Sequence, residues 1–113
     1  MPRTDPAPTD ASAEVVLINT FELPEDQVDA AIAGWTAARD FLSTQPGYIA
    51  TALHRALAPG ARFALINVAR WRSPADFQAA IAKMQAAKVF PDIPGLVYTP
   101  GLYRVIAEDR AAA

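Results

Sequence analysis

Hydrophobic and polar residues along the chain alternate with two different periods. From about Glu14 to Glu22 the stretch EVVLINTFE is rich in β-branched and aromatic residues and predicts a strand. Its alternation sets Val15, Leu17, Asn19 and Phe21 on one face, with Val16, Ile18 and Thr20 on the other. The period then lengthens. Behind Pro24 and Glu25, Val28, Ile32, Trp35, Ala38 and Leu42 recur at helical spacing, and Pro46-Gly47 ends that helix. Trp35 at this spacing reads as packing. A second strand is expected over Tyr48–Leu57, with Tyr48, Ala50, Ala52 and His54 on one face. Ala58-Pro59-Gly60 then turns the chain into a third strand over Arg62–Trp71. In that third strand Phe63, Leu65, Asn67, Ala69 and Trp71 share a face, opposite Ala64, Ile66 and Val68. Ser73 is placed to cap a second helix, with Pro74 at its first position and Asp76 able to complete a capping-box-like pair. Phe77, Ala80, Ile81 and Met84 supply its apolar face. A loop follows Lys88, and LVYTPGLYRVI gives a last strand that Pro100-Gly101 is expected to break.

The order β-α-β-β-α-β is the split βαβ, or ferredoxin-like, arrangement of the α+β class: an antiparallel sheet with both helices on one face. A single folded domain over residues 14–108 is expected. Residues 1–13, with three prolines among small polar residues, and residues 109–113, ending in three alanines, read as flexible tails. Both faces of the strands are apolar while there is only one helical layer. The uncovered face therefore calls for a second sheet, hence a homodimer.

Composition narrows the chemistry. The 113 residues are 52% hydrophobic and 19% charged, with a net charge of −2. No basic field exists to draw nucleic acid or a membrane surface. With no cysteine and a single histidine, thiolate chemistry and clustered metal sites drop out, and no metal or other cofactor is expected. The chain contains no run of apolar residues long enough to span a membrane and no signal-like start, so a cytoplasmic protein is expected.

What remains is two amides, an imidazole, an indole and tyrosines. Asn19 and Asn67 each lie on the same face as their strand's aromatic residue, and strands one and three are central neighbours in a split βαβ sheet. Asn67 and Trp71 are about 13 Å apart at about 3.3 Å per residue, wide enough to flank a flat ring system. His54, Tyr48, Phe77 and Phe90 are the candidate substrate contacts. Taken singly these residues have plainer readings: a buried strand Asn is ordinarily bonded to backbone or water, and tryptophans ordinarily anchor cores. Together they can hold an oxyanion, relay a proton and sandwich an aromatic ring. They cannot readily supply electrons, so an oxidation would need a substrate that, once deprotonated, itself reduces O₂.

The stretches VVLINTFEL, PGYIATALHRA and NVARWRSPADFQAAI resemble the antibiotic biosynthesis monooxygenase domain of the dimeric α+β barrel superfamily. The resemblance covers about Val15 to Ile106 and is strongest at Asn67, Trp71, Ser73 and Phe77, then at Pro46 to Tyr48. It implies a cofactor-independent monooxygenase of aromatic polyketide tailoring, converting a polycyclic phenol or anthrone and O₂ to a quinone. Asn19, Asn67 and Trp71 match the residues implicated in oxygenation, and His54 matches a histidine late in the second strand of some members. The amides would hold the substrate oxygen and assist its deprotonation, while Trp71 would shape the pocket and help position or protonate a peroxide. An Arg and a Tyr functional in some members have no counterpart in the helix after Trp71. A second branch degrades haem with an axial His near the second helix. Residues 79–95 contain no His, which disfavours that activity. A non-catalytic dimeric module binding a small aromatic metabolite is the alternative from a different class.

Overall fold

The computed structural model describes residues 13–112. Four strands, β1 (Val15–Glu22), β2 (Tyr48–Arg55), β3 (Leu65–Trp71) and β4 (Val97–Tyr103), form one sheet in the order β2-β3-β1-β4. Every neighbouring pair is antiparallel. A single 3-10 turn at Glu25–Gln27 leads into α1 (Val28–Leu42), and α2 (Pro74–Ala87) joins β3 to β4. The expected split βαβ is therefore formed, with both helices packed on one face of the sheet. The expected N-terminal tail lies, except for residue 13, outside the described residues, as does residue 113. Residues 104–112 follow β4 without regular structure.

The covered face follows the alternation of the sequence. Val15, Leu17, Phe21, Leu65, Ala69 and Trp71 are buried beneath the helices. α1 contributes Val28, Ala31 and Ala38 to this layer, and α2 contributes Ala80. The fully buried helical residues are small, and larger side chains of both helices stand around the space between the layers. On the other face Val16, Ile18, Ile66 and Val68 are only half-buried.

Local chemistry sets the ends of α2. Ser73 accepts the Asp76 backbone N–H at 3.1 Å, as the cap predicts, and Pro74 occupies the first turn, where its missing N–H costs nothing. Lys88 ends the helix in the left-handed region, φ 52°, returning its N–H to Met84 and Gln85 carbonyls. Gly47 is held at φ 87°, and a Cβ there would lie 2.4 Å from the Asp76 side chain; only glycine fits this junction of β2 with α2.

Two expectations need correction. β4 is not broken: Pro100 pairs with Asn19 and Gly101 with Ile18 inside a continuous strand. β4 lies at the sheet edge, where a residue without an N–H can face away from its neighbour. The alternation of β2 is not uniform either. Tyr48 pairs with Trp71 and Ala50 with Arg70, so Ile49 is an extra residue. This bulge puts Tyr48 on the helix-covered side with Trp71 and moves Ala50, Ala52 and His54 to the open side.

Candidate active site

Between the covered face of the sheet and the two helices lies a solvent-connected cavity of about 980 Å³. That volume is at the upper end of the range for small-molecule sites, roughly 300–1,000 Å³. Its floor is β1 and β3, where Asn19 stands directly opposite Asn67 in the register. α1 supplies Trp35 and Arg39, α2 supplies Phe77, Ile81 and Met84, and the segment after α2 supplies Phe90 and Ile93. Gly34 is what lets that segment approach α1: a Cβ on it would meet Pro91 at 3.0 Å and Phe90 at 3.1 Å. Phe90 in turn packs edge-on against Phe21, with ring centroids 6.4 Å apart.

The two amides face different circumstances. Asn67 Oδ1 accepts two hydrogen bonds, from Trp35 Nε1 at 3.1 Å and from the Thr51 hydroxyl at 2.7 Å. Asn19 Oδ1 is buried and has no partner among the described residues. An unpartnered buried acceptor costs about 1–3 kcal/mol.

Trp71 is 1% exposed and anchors the end of the cavity beneath Tyr48 and Phe77. Both rings meet it edge-to-face, with centroids at 5.5 and 5.7 Å. These contacts make the aromatic end rigid and leave the indole inside the wall rather than projecting into the space.

Of the residues singled out from sequence, Asn19, Asn67, Trp71, Tyr48, Phe77 and Phe90 all line this one cavity. His54 does not. It pairs with Ile66 on the open side of the sheet, is exposed, and donates from Nδ1 to the Ile66 carbonyl at 3.2 Å. The cause is the bulge at Ile49.

Sequence reasoning missed Trp35, Thr51 and Arg39. Trp35 reads as packing, yet its N–H bonds Asn67, and the Arg39 guanidinium lies 5.5 Å over its ring. Helical spacing reports which face a tryptophan occupies and not what its nitrogen meets. Thr51 becomes visible only after the bulge restores its strand position opposite Ala69. One arginine and two tyrosines also line the cavity: Arg39 from α1, Tyr48 from β2 and Tyr98 from β4.

No cluster of potential metal-ligating side chains occurs among the described residues, and no helix among them is long and apolar enough to cross a membrane.

Residues 14–87 match the family model for antibiotic biosynthesis monooxygenase. A crystal structure of a candidate monooxygenase from Shewanella loihica PV-4 is 49% identical over 86% of this chain and 98% of its own, with a TM-score of 0.78. SnoaB, a cofactor-independent oxygenase from Streptomyces nogalater, shares the fold at 18% identity. It covers 85% of this chain and 96% of its own, with a TM-score of 0.67. A heme-degrading protein from Mycobacterium tuberculosis also shares it, at 21% identity, 86% and 99% coverage and a TM-score of 0.62. No match was found among curated proteins. The chain belongs to the antibiotic biosynthesis monooxygenase family.

Proposed function

We propose that this family member is an O₂-dependent monooxygenase that oxidises a polycyclic phenol or anthrone to a quinone without a bound cofactor. The observation that carries the reading is the pair of facing amides in the cavity, one of them with its buried Oδ1 lacking a donor. An enol or phenol oxygen accepts from Asn67 Nδ2 while its proton passes to water in the solvent-connected cavity, and a donor aimed at the developing oxyanion is worth more there than toward the neutral substrate. The electron-rich ring so formed reduces O₂ directly. For an anthrone the balance is one methylene plus O₂ giving one carbonyl plus water, with the peroxide on the former methylene carbon losing water as its C–H is removed. Trp71, held by Tyr48 and Phe77, bounds the space in which that peroxide stands.

Haem cleavage fits these residues less well. His54 is the only histidine in the chain and lies across the sheet from the cavity, so an axial imidazole is missing. The half-buried aliphatic residues of the open face support a homodimer joined sheet to sheet.

The direct test is to incubate the metal-stripped protein with an anthrone in air and follow quinone absorbance together with O₂ uptake. Turnover is expected, and both Asn67→Ala and Trp71→Phe are expected to lower it at least tenfold. Unchanged rates in the two variants reject the site. Thermal stabilisation by hydroxyanthraquinones with no O₂ uptake would instead make the protein a binding module.

A further inference from the structure

We infer that Trp35 and Thr51 are positioning residues that fix which end of the Asn67 amide faces the ligand. The inference rests on the reading of Asn67 as the group that binds the substrate oxygen. A side-chain amide has two ends of nearly equal shape and opposite hydrogen-bonding character, so an unrestrained Asn can offer a ligand either an acceptor or a donor. At Asn67 the choice is made by three separate elements. Trp35 from α1 and Thr51 from β2 both donate to the same oxygen on β3, at 3.1 and 2.7 Å. An indole nitrogen can only donate, so only the carbonyl end of the amide can face it. With both donors on Oδ1, Nδ2 is the end left for the cavity that Asn67 lines.

Asn19, the register partner of Asn67, has its acceptor Oδ1 buried without a donor. That oxygen is closed off from the cavity, so the hydrogen-bonding end a ligand meets at this pair is the Nδ2 donor from β3. A fixed donor there favours an oxygen on which negative charge develops. If Asn67 flipped, its own acceptor would face that oxygen and oppose the charge that deprotonation creates.

The experiment uses the full ¹⁵N-labelled chain and four variants: Trp35→Phe, Thr51→Val, Thr51→Ser and Asn67→Asp. Trp35→Phe and Thr51→Val each keep shape and delete one donor. Thr51→Ser keeps the hydroxyl, and Asn67→Asp keeps the acceptor for both donors while losing the N–H. With an anthrone as substrate, kcat is expected to fall about ten- to a hundredfold in Trp35→Phe and in Thr51→Val with KM within about twofold, since misorientation of a reacting contact has that scale. Thr51→Ser should retain the wild-type rate, and Asn67→Asp should lose it while keeping the wild-type melting temperature. A purely structural role would move stability and KM and would not distinguish Thr51→Val from Thr51→Ser in kcat. Independently of turnover, the Asn67 side-chain N–H₂ resonances should shift or broaden in Trp35→Phe and Thr51→Val and stay in place in Thr51→Ser. Unchanged Asn67 resonances in both donor-deleted variants overturn the inference. Absence of quinone formation by the wild-type chain rejects the proposed reaction instead, and leaves the orientation to be judged by the resonances. If Trp35→Phe does not fold, the two Thr51 variants still decide the matter.

Discussion

The two faces of the sheet are built from the same strands with nearly the same aliphatic residues, and they end in opposite states. On the covered face, Val15, Leu17, Phe21, Leu65, Ala69 and Trp71 are buried under the helices, and the two asparagines sit among them. On the open face, Val16, Ile18, Ile66 and Val68 remain half-buried, and the polar residue at the β2 end, His54, is exposed. The difference is what each face does with polarity. The covered face holds its amides at the floor of a cavity, where one is bonded twice and the other keeps an unmatched acceptor. A protein selected for stability alone would fill such a space with aliphatic side chains, and this is why the proposed chemistry is placed on the covered face.

Substitutions on the two faces should therefore fail in different ways. The largest effect is expected at the wall of the cavity: Trp71→Ala removes a fully buried ring with two aromatic neighbours and should cost about 3–5 kcal/mol, read as a lower urea midpoint. A loss below 1 kcal/mol would mean that the aromatic end is not the anchor of this face. Next comes the open face. Ile18→Lys should leave the circular dichroism spectrum native and weaken a sheet-to-sheet dimer by about 3 kcal/mol over its two copies, more than a hundredfold in dissociation constant by sedimentation. A monomeric wild-type protein would remove the partner sheet altogether. Asn19→Leu separates stability from chemistry. It deletes the orphaned acceptor, so the ligand-free protein should gain about 1–3 kcal/mol while anthrone oxidation falls to background. Destabilisation would show that Asn19 has a structural role. The smallest effect is expected at the cap of α2, where Ser73→Ala should cost about 1 kcal/mol with turnover retained.

The expectations drawn from sequence succeed where a side chain's role follows from its parity in a regular strand. Residues 15–22 and 65–71 are uninterrupted, so Asn19 and Asn67 can be put on one face, and the split βαβ order makes them neighbours. The expectations fail where parity breaks or where two roles share one spacing. Ile49 is an ordinary β-branched residue in a strand-like stretch, and nothing in its identity announces that it will be skipped. The consequence falls five residues away, on His54. Trp35 belongs to an apolar helical stripe whether or not its nitrogen has a partner; that partner is 32 positions away and appears only when the helix is laid over the sheet. In β4 the local rule that Pro-Gly ends a strand is overridden by the sheet edge, where one missing donor costs little.

The bulge in β2 divides the strand into two reading frames. Before Ile49 the count is set by Gly47 and the contact with α2, which bring Tyr48 against Trp71; after it the count is set by pairing with β3, which keeps His54 outside. Deletion of Ala50, or insertion of one residue directly before Thr51, would shift the second frame alone, exchanging His54 and Thr51 between the two sides while Tyr48 stayed fixed. One codon at that point is enough to trade a hydroxyl on Asn67 for an imidazole in the cavity, giving this sheet a short route between two kinds of site without any change to its aromatic end.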